Sequence, residues 1–146
     1  MIRISILAVL AVVLPDWTQP SESVYRLAEN HEVADGAIDA AADHDAGKNL
    51  AIARAYLARR QYPAALSRLK TVVTQYQTSP YAEEALALLV ETSLAVGAAP
   101  FAQAAVEVLL RKFPDGDWSV KAQDALKAAG FEPVSDKNSW ISRAFP

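Results

Sequence analysis

Residues 76–86 read YQTSPYAEEAL, and residues 113–126 read FPDGDWSVKAQDAL, beginning thirty-seven positions later. Each stretch follows an apolar run of helical period and sets an aromatic, a polar turn, a second aromatic and then an Ala-rich run. Shifting the chain by 37 pairs Tyr76 with Phe113 and Tyr81 with Trp118 across the turn, and Ile52 with Leu89, Leu57 with Leu94, Ala65 with Ala102, Leu69 with Val106 and Val72 with Leu109. The matched positions are apolar or small, as a recurring packing face requires. An Ala-rich chain matches itself in part by chance, so the two aromatic pairs carry the reading. It predicts an all-α fold of two helical hairpins of one kind.

The hairpins follow the grammar of tetratricopeptide repeats, with a Gly at the turn, small residues in the second helix and a Pro after it. The second repeat supplies Gly97, Ala102, Val106, Leu109 and Pro114; the first supplies Tyr56, Tyr62, Ala65, Leu69 and Val72, with Gln77 in place of the Pro. The 37-residue spacing is longer than the usual repeat of about 34. Periodicity predicts a helix from Ala37 to Arg60, with Gly47 as its weak point, because an interior Gly costs about 1 kcal/mol relative to Ala. Pro63 and Pro100 suit the first turns of the second and fourth helices, where a missing N–H is harmless. Ser79 is expected to cap the third helix, with Pro80 in its first turn and Glu83 and Glu84 complementing its positive end. That helix, ALALLVETSLAV, is apolar nearly all round, the pattern of an element packed on several sides. Gly97 should close it, and Asp117 should cap a fifth helix ending at Gly130.

Three regions follow: residues 1–36, a signal-like apolar start and a poorly ordered linker with at most a short helix at Val24–Ala28; residues 37–130, a tetratricopeptide-like solenoid; and residues 131–146, an extended tail. The start, MIRISILAVLAVVLPDW, has the charged and apolar regions of an export signal and is too short to span a bilayer. No small-x-small cleavage site follows Leu14, so a buried or mis-started segment is the competing reading. In the tail, Phe131, Trp140, Ile141 and Phe145 are apolar and Pro133 opposes helix. The fifth helix offers Val120, Ala122, Ala125 and Leu126 with no sixth helix to cover them, so Trp140 is expected to fold back and cap that hairpin.

Residues 1–47 hold two bases against eight acids and residues 48–146 hold twelve bases against nine acids. Neither part is basic enough for a nucleic-acid footprint. With no Cys in the sequence, disulfides, thiolate metal sites and cysteine nucleophiles are excluded. No nucleophile-elbow, zinc-protease or phosphate-loop motif occurs, and no cofactor is implied. Asp39, Asp43, His44 and Asp45, with His31 and Glu32 nearby, are the best metal candidates. Asp39 and Asp43 share a helix face but His44 points about 100° away, which favours a solvated acidic surface over a metal enzyme. Arg54, Arg59, Arg60, Arg68 and Lys70 cluster about the first hairpin, either as solvated residues or as an electropositive docking surface.

LARRQYPAALSRLKTVVTQYQTSPYAEEAL and LAVGAAPFAQAAVEVLLRKFPDGDW resemble the C-terminal repeats of the BamD family, the tetratricopeptide lipoproteins of the outer-membrane β-barrel assembly machinery. The ending FEPVSDKNSWISRAFP is similar to that of alphaproteobacterial members and is no general repeat feature. The resemblance covers about Ala37 to Pro146. It implies a non-enzymatic scaffold at the periplasmic face of the outer membrane, only peripherally associated with lipid. The implied partners are the last POTRA domain of BamA, other assembly-complex subunits and nascent barrel proteins. It places Arg68, in AALSRLK, where the family carries an Arg that faces a POTRA carboxylate; Arg59, Arg60 and Tyr62 are the neighbouring docking candidates. Members begin with a lipobox Cys and carry further N-terminal repeats tied to substrate recognition, so the expectation here is a truncated or mis-started member with the docking half. A general tetratricopeptide adaptor for a peptide or partner protein is the alternative.

Overall fold

The fold is built from Ala-rich helices whose small residues let their axes approach closely. The computed structural model describes the backbone from residue 22 and side-chain surroundings from residue 34; the signal-like start lies outside the described residues. Six helices follow: α1 (Glu22–Ala58), α2 (Tyr62–Gln75), α3 (Ala82–Ala95), α4 (Ala99–Lys112), α5 (Asp117–Ala128) and α6 (Trp140–Ala144). By contact density the chain divides into residues 1–39 and residues 40–146, and α1 runs through the division. The helix thus begins fifteen residues before the expected Ala37, and the linker reading of residues 22–36 is corrected. Its only interior interruptions, Gly36 and Gly47, cost too little to break a helix of this length.

Residues 40–146 form the helical hairpin solenoid that the repeat predicted. The described core runs from Ala46, Leu50 and Ala53 of α1 through Leu69, Val72 and Val73 of α2 to Leu86, Leu89 and Val90 of α3 and Val106 and Leu109 of α4. Ala122 and Leu126 of α5 and Ile141 and Phe145 of the tail complete it. The helix α3 packs against α2, α4 and α5, as its all-round apolar sequence required. Gly47 is more than a weak point. A Cβ there would sit 3.0 Å from the Tyr81 ring, so Gly is what lets that aromatic settle on α1.

The ends of α1, α3 and α5 share one conformation. Arg60, Gly97 and Gly130 have φ of +57°, +76° and +83°, and at each turn the next amide reaches back to the last helical turn: Gln61 N–H to the Tyr56 carbonyl (2.9 Å), Ala98 to Ser93 (2.8 Å) and Phe131 to Leu126 (3.1 Å). This is the left-handed helix ending that normally selects Gly. A Pro stands three residues after each of the three, at Pro63, Pro100 and Pro133.

Two helix starts differ from expectation. Ser79 lies in the turn before α3, where its hydroxyl accepts from the Tyr81 N–H at 3.2 Å, and the helix begins at Ala82. Asp117 is the first residue of α5 and caps nothing, because Gly116 holds the cap position without a side chain. Glu83 of α3 does that work from a distance: its Oε1 accepts from Trp118 N–H (3.1 Å) and Ser119 N–H (3.2 Å). A Cβ at Gly116 would collide with this carboxylate. Glu83 therefore serves the positive end of α5, while Glu84 pairs with Arg54 of α1. Both also lie in the first turn of α3, as expected.

The tail has no regular secondary structure from Phe131 to Asp136, turns, and ends in the short helix α6. Ser139 caps α6 by accepting from the Ser142 N–H at 3.1 Å. Contrary to expectation, α6 packs on α4 and α2 and not on α5. Ile141 of α6 and Phe145, which follows the helix, are buried; Trp140, about 100° from Ile141 on the helix, is half-buried. Arg111 and Lys112 hold the end of the chain through the carbonyls of Phe145 (2.8 Å) and Pro146 (2.5 Å). The tail leaves α5 uncovered, and its Val120 stays 54% exposed.

Candidate functional site

The five cations of the first hairpin do not form one surface. Arg54 of α1 is committed to Glu84 of α3 (Nε to Oε1, 2.9 Å), and Lys70 of α2 lies over the Trp140 ring, 5.2 Å from its centroid. Arg59 and Arg60 are exposed at the α1–α2 turn with no ion pair among the described residues. Arg68 is exposed on the face of α2 that looks toward α1, where its Nη1 donates to the Asn49 side-chain carbonyl at 3.3 Å. A neutral amide orients a guanidinium without cancelling its charge. Arg68 retains donors for a carboxylate, which an Arg can grip through two parallel hydrogen bonds.

Tyr62, six residues before Arg68, stands on a different face of α2, since six helical steps amount to about 240° of rotation. It is half-buried and lines a shallow cavity of about 250 Å³ with Leu57, Glu91 and Ala95, against the C-terminal end of α3. The structure therefore joins Arg59 and Arg60 at one turn and sets Tyr62 and Arg68 on separate sides. Asn49, which positions Arg68, escaped the sequence reading; the helical period that places it on the inner side of α1, one position from the buried Leu50, could have found it.

A second feature lies between α2 and α4, which do not pack directly on each other. They form the walls of a groove floored by Leu89 and Ser93 of α3 and closed at one end by Trp140. The open part holds about 370 Å³. A third cavity of about 490 Å³, between α4 and the tail, is lined by Glu107, Arg111, Lys137 and Arg143, with Glu107 paired to Arg111 at 3.3 Å. No group of three His, Cys, Asp or Glu side chains able to hold a metal occurs among the described residues, and no described helix is long and apolar enough to cross a membrane.

A family model described as "YfiO: Outer membrane lipoprotein" matches residues 30–107, just over half of the chain. The chain is similar to the "Outer membrane protein assembly factor BamD" of Caulobacter vibrioides, with 40% identity over 97 residues, which cover 66% of this chain and 32% of that protein. It is also similar to the protein of the same name from Rickettsia prowazekii, with 37% identity over 90 residues, 62% of this chain and 36% of that protein. The chain thus spans about a third of the length of these curated relatives. No solved structure matches it.

Proposed function

The chain belongs to the YfiO family of outer membrane lipoproteins, and from that premise we propose that it is a non-enzymatic scaffold of outer-membrane protein assembly. It docks onto the POTRA region of a BamA-like protein at the periplasmic face of the outer membrane. The observation that carries this reading is the Arg68 guanidinium: exposed, set on a rigid helix, and held only by the neutral side chain of Asn49. Arg59 and Arg60 add positive charge at the nearby turn and steer an acidic partner surface toward it.

The test is capture of a purified POTRA domain by the full chain. Arg68→Glu should abolish capture while helix content and melting temperature stay unchanged, because no core contact is lost. Breaking one side of an interfacial charge pair costs about 2–5 kcal/mol, well within reach of a pull-down or titration calorimetry. Full retention of capture by the variant removes Arg68 from the site.

A further inference from the structure

The groove between α2 and α4 already binds one peptide segment, the chain's own tail. The tail helix α6 rests on both walls, Ile141 and Phe145 are buried, and the carbonyls of Phe145 and Pro146 accept from Arg111 and Lys112. Beyond Trp140 the same groove continues unfilled for about 370 Å³, room for one or two large side chains. Its lip is Phe101, 46% exposed, at a position where the 37-residue shift puts Ala64 in the first repeat. Packing within the fold gives no reason for an aromatic there. The lining contains one charge, the Lys70 ammonium, and no acid.

We propose that this open stretch binds a short peptide segment of a partner protein that carries a large apolar side chain beside a carboxylate. The apolar side chain packs between Phe101 and Trp140 over Leu89, as a buried anchor does at a protein interface. The carboxylate meets Lys70, whose position over the Trp140 ring holds it at the rim. The tail helix is thus both a cap and one wall of the site. The inference is independent of the Arg68 reading, since Arg68 faces α1 and Lys70 faces α6.

The experiment is fluorescence anisotropy of a labelled, acetylated octapeptide with Leu-Phe flanked by Asp and Glu, titrated with the full chain. Saturable binding is expected, weakened at least about tenfold by Phe101→Ser and by Lys70→Glu, as loss of a central anchor or charge commonly gives. Phe101 is too exposed for its loss to unfold the chain, and an unchanged melting curve verifies this. Replacing the peptide's acids by Lys, or its Leu-Phe by Ser-Ser, should abolish binding. Arg68→Glu should leave peptide binding intact and Lys70→Glu should leave POTRA capture intact, so the two readings fail separately. The proposal is overturned by no saturation up to about 1 mM, by equal binding of the acidic and Lys peptides, or by wild-type affinity in both variants. Binding of phosphatidylglycerol vesicles that depends on Phe101 and Lys70, without peptide binding, would likewise overturn it in favour of a lipid site.

Discussion

Arg60 occupies a left-handed backbone position, φ +57°, that Gly97 and Gly130 fill at the other two turns. A side chain there costs roughly 1–2 kcal/mol, partly offset because Gly loses more chain entropy on folding. Arg60→Gly should therefore raise stability by about 0.5–1 kcal/mol, a shift of a few degrees in melting temperature. A lowered melting temperature would mean that the Arg60 side chain makes a compensating contact. The 37-residue shift aligns Arg60 with Gly97, so the sequence itself marks the left-handed position. The role of Glu83 was not legible there. Its reach to Trp118 and Ser119 spans 35 and 36 residues, and neither helical period nor cap preference links side chains so far apart. Gly116→Ala should cost about 1–3 kcal/mol by forcing that carboxylate aside. In a Glu83→Ala background, where the cap is already lost, the same change should cost much less. The coupling measured by that double-mutant cycle in urea should exceed about 0.5 kcal/mol, and strict additivity would show that Gly116 serves the turn alone.

At the scale of elements, the repeated aromatic-turn-aromatic punctuation was enough to place four of the five main helices within a few residues. Starts were read less well, because Ser and Asp were assigned as local caps where one helix uses a carboxylate from elsewhere. The tail shows the same division. Its apolar residues were recognised as anchors, yet which helix they meet depends on where the chain emerges from α5, and one-dimensional pattern carries no such direction. Ile141 and Phe145 repeat at i, i+4 and are buried, so either one truncated to Ala should cost about 2–5 kcal/mol. Trp140→Ala should cost less than either, because the ring is only half-buried. Ser139→Ala should cost about 1 kcal/mol through loss of the cap. Equal losses at Trp140 and Ile141 in thermal melts would contradict this ranking and favour Trp140 as the principal anchor.

Across the molecule, each helix of a solenoid rests on its neighbours, so stability is shared out by contact and not by position along the chain. Among helices α2 to α6, α3 packs on three others and α4 on three, whereas α6 is five residues long and reaches only α2 and α4. Amides that open only on global unfolding should therefore lie in α3 and α4, at Leu86, Leu89, Val106 and Leu109, while α6 exchanges by local release. Arg59, Arg60 and Arg68 stand outside this core, so the proposed docking charges can be varied with the core contacts intact. Hydrogen exchange on the full chain should show slow amides in α3 and α4, intermediate ones in α2 and α5, and early exchange in α6. Deleting residues 131–146 should speed exchange in α4 and α2, the two helices the tail touches, and leave α5 nearly unchanged. Acceleration centred on α5 would restore the expectation that the tail caps the last hairpin. Protection in α6 equal to that in α3 would mean that the tail is released only with the whole fold, leaving the groove closed at the Trp140 end for as long as the protein is native.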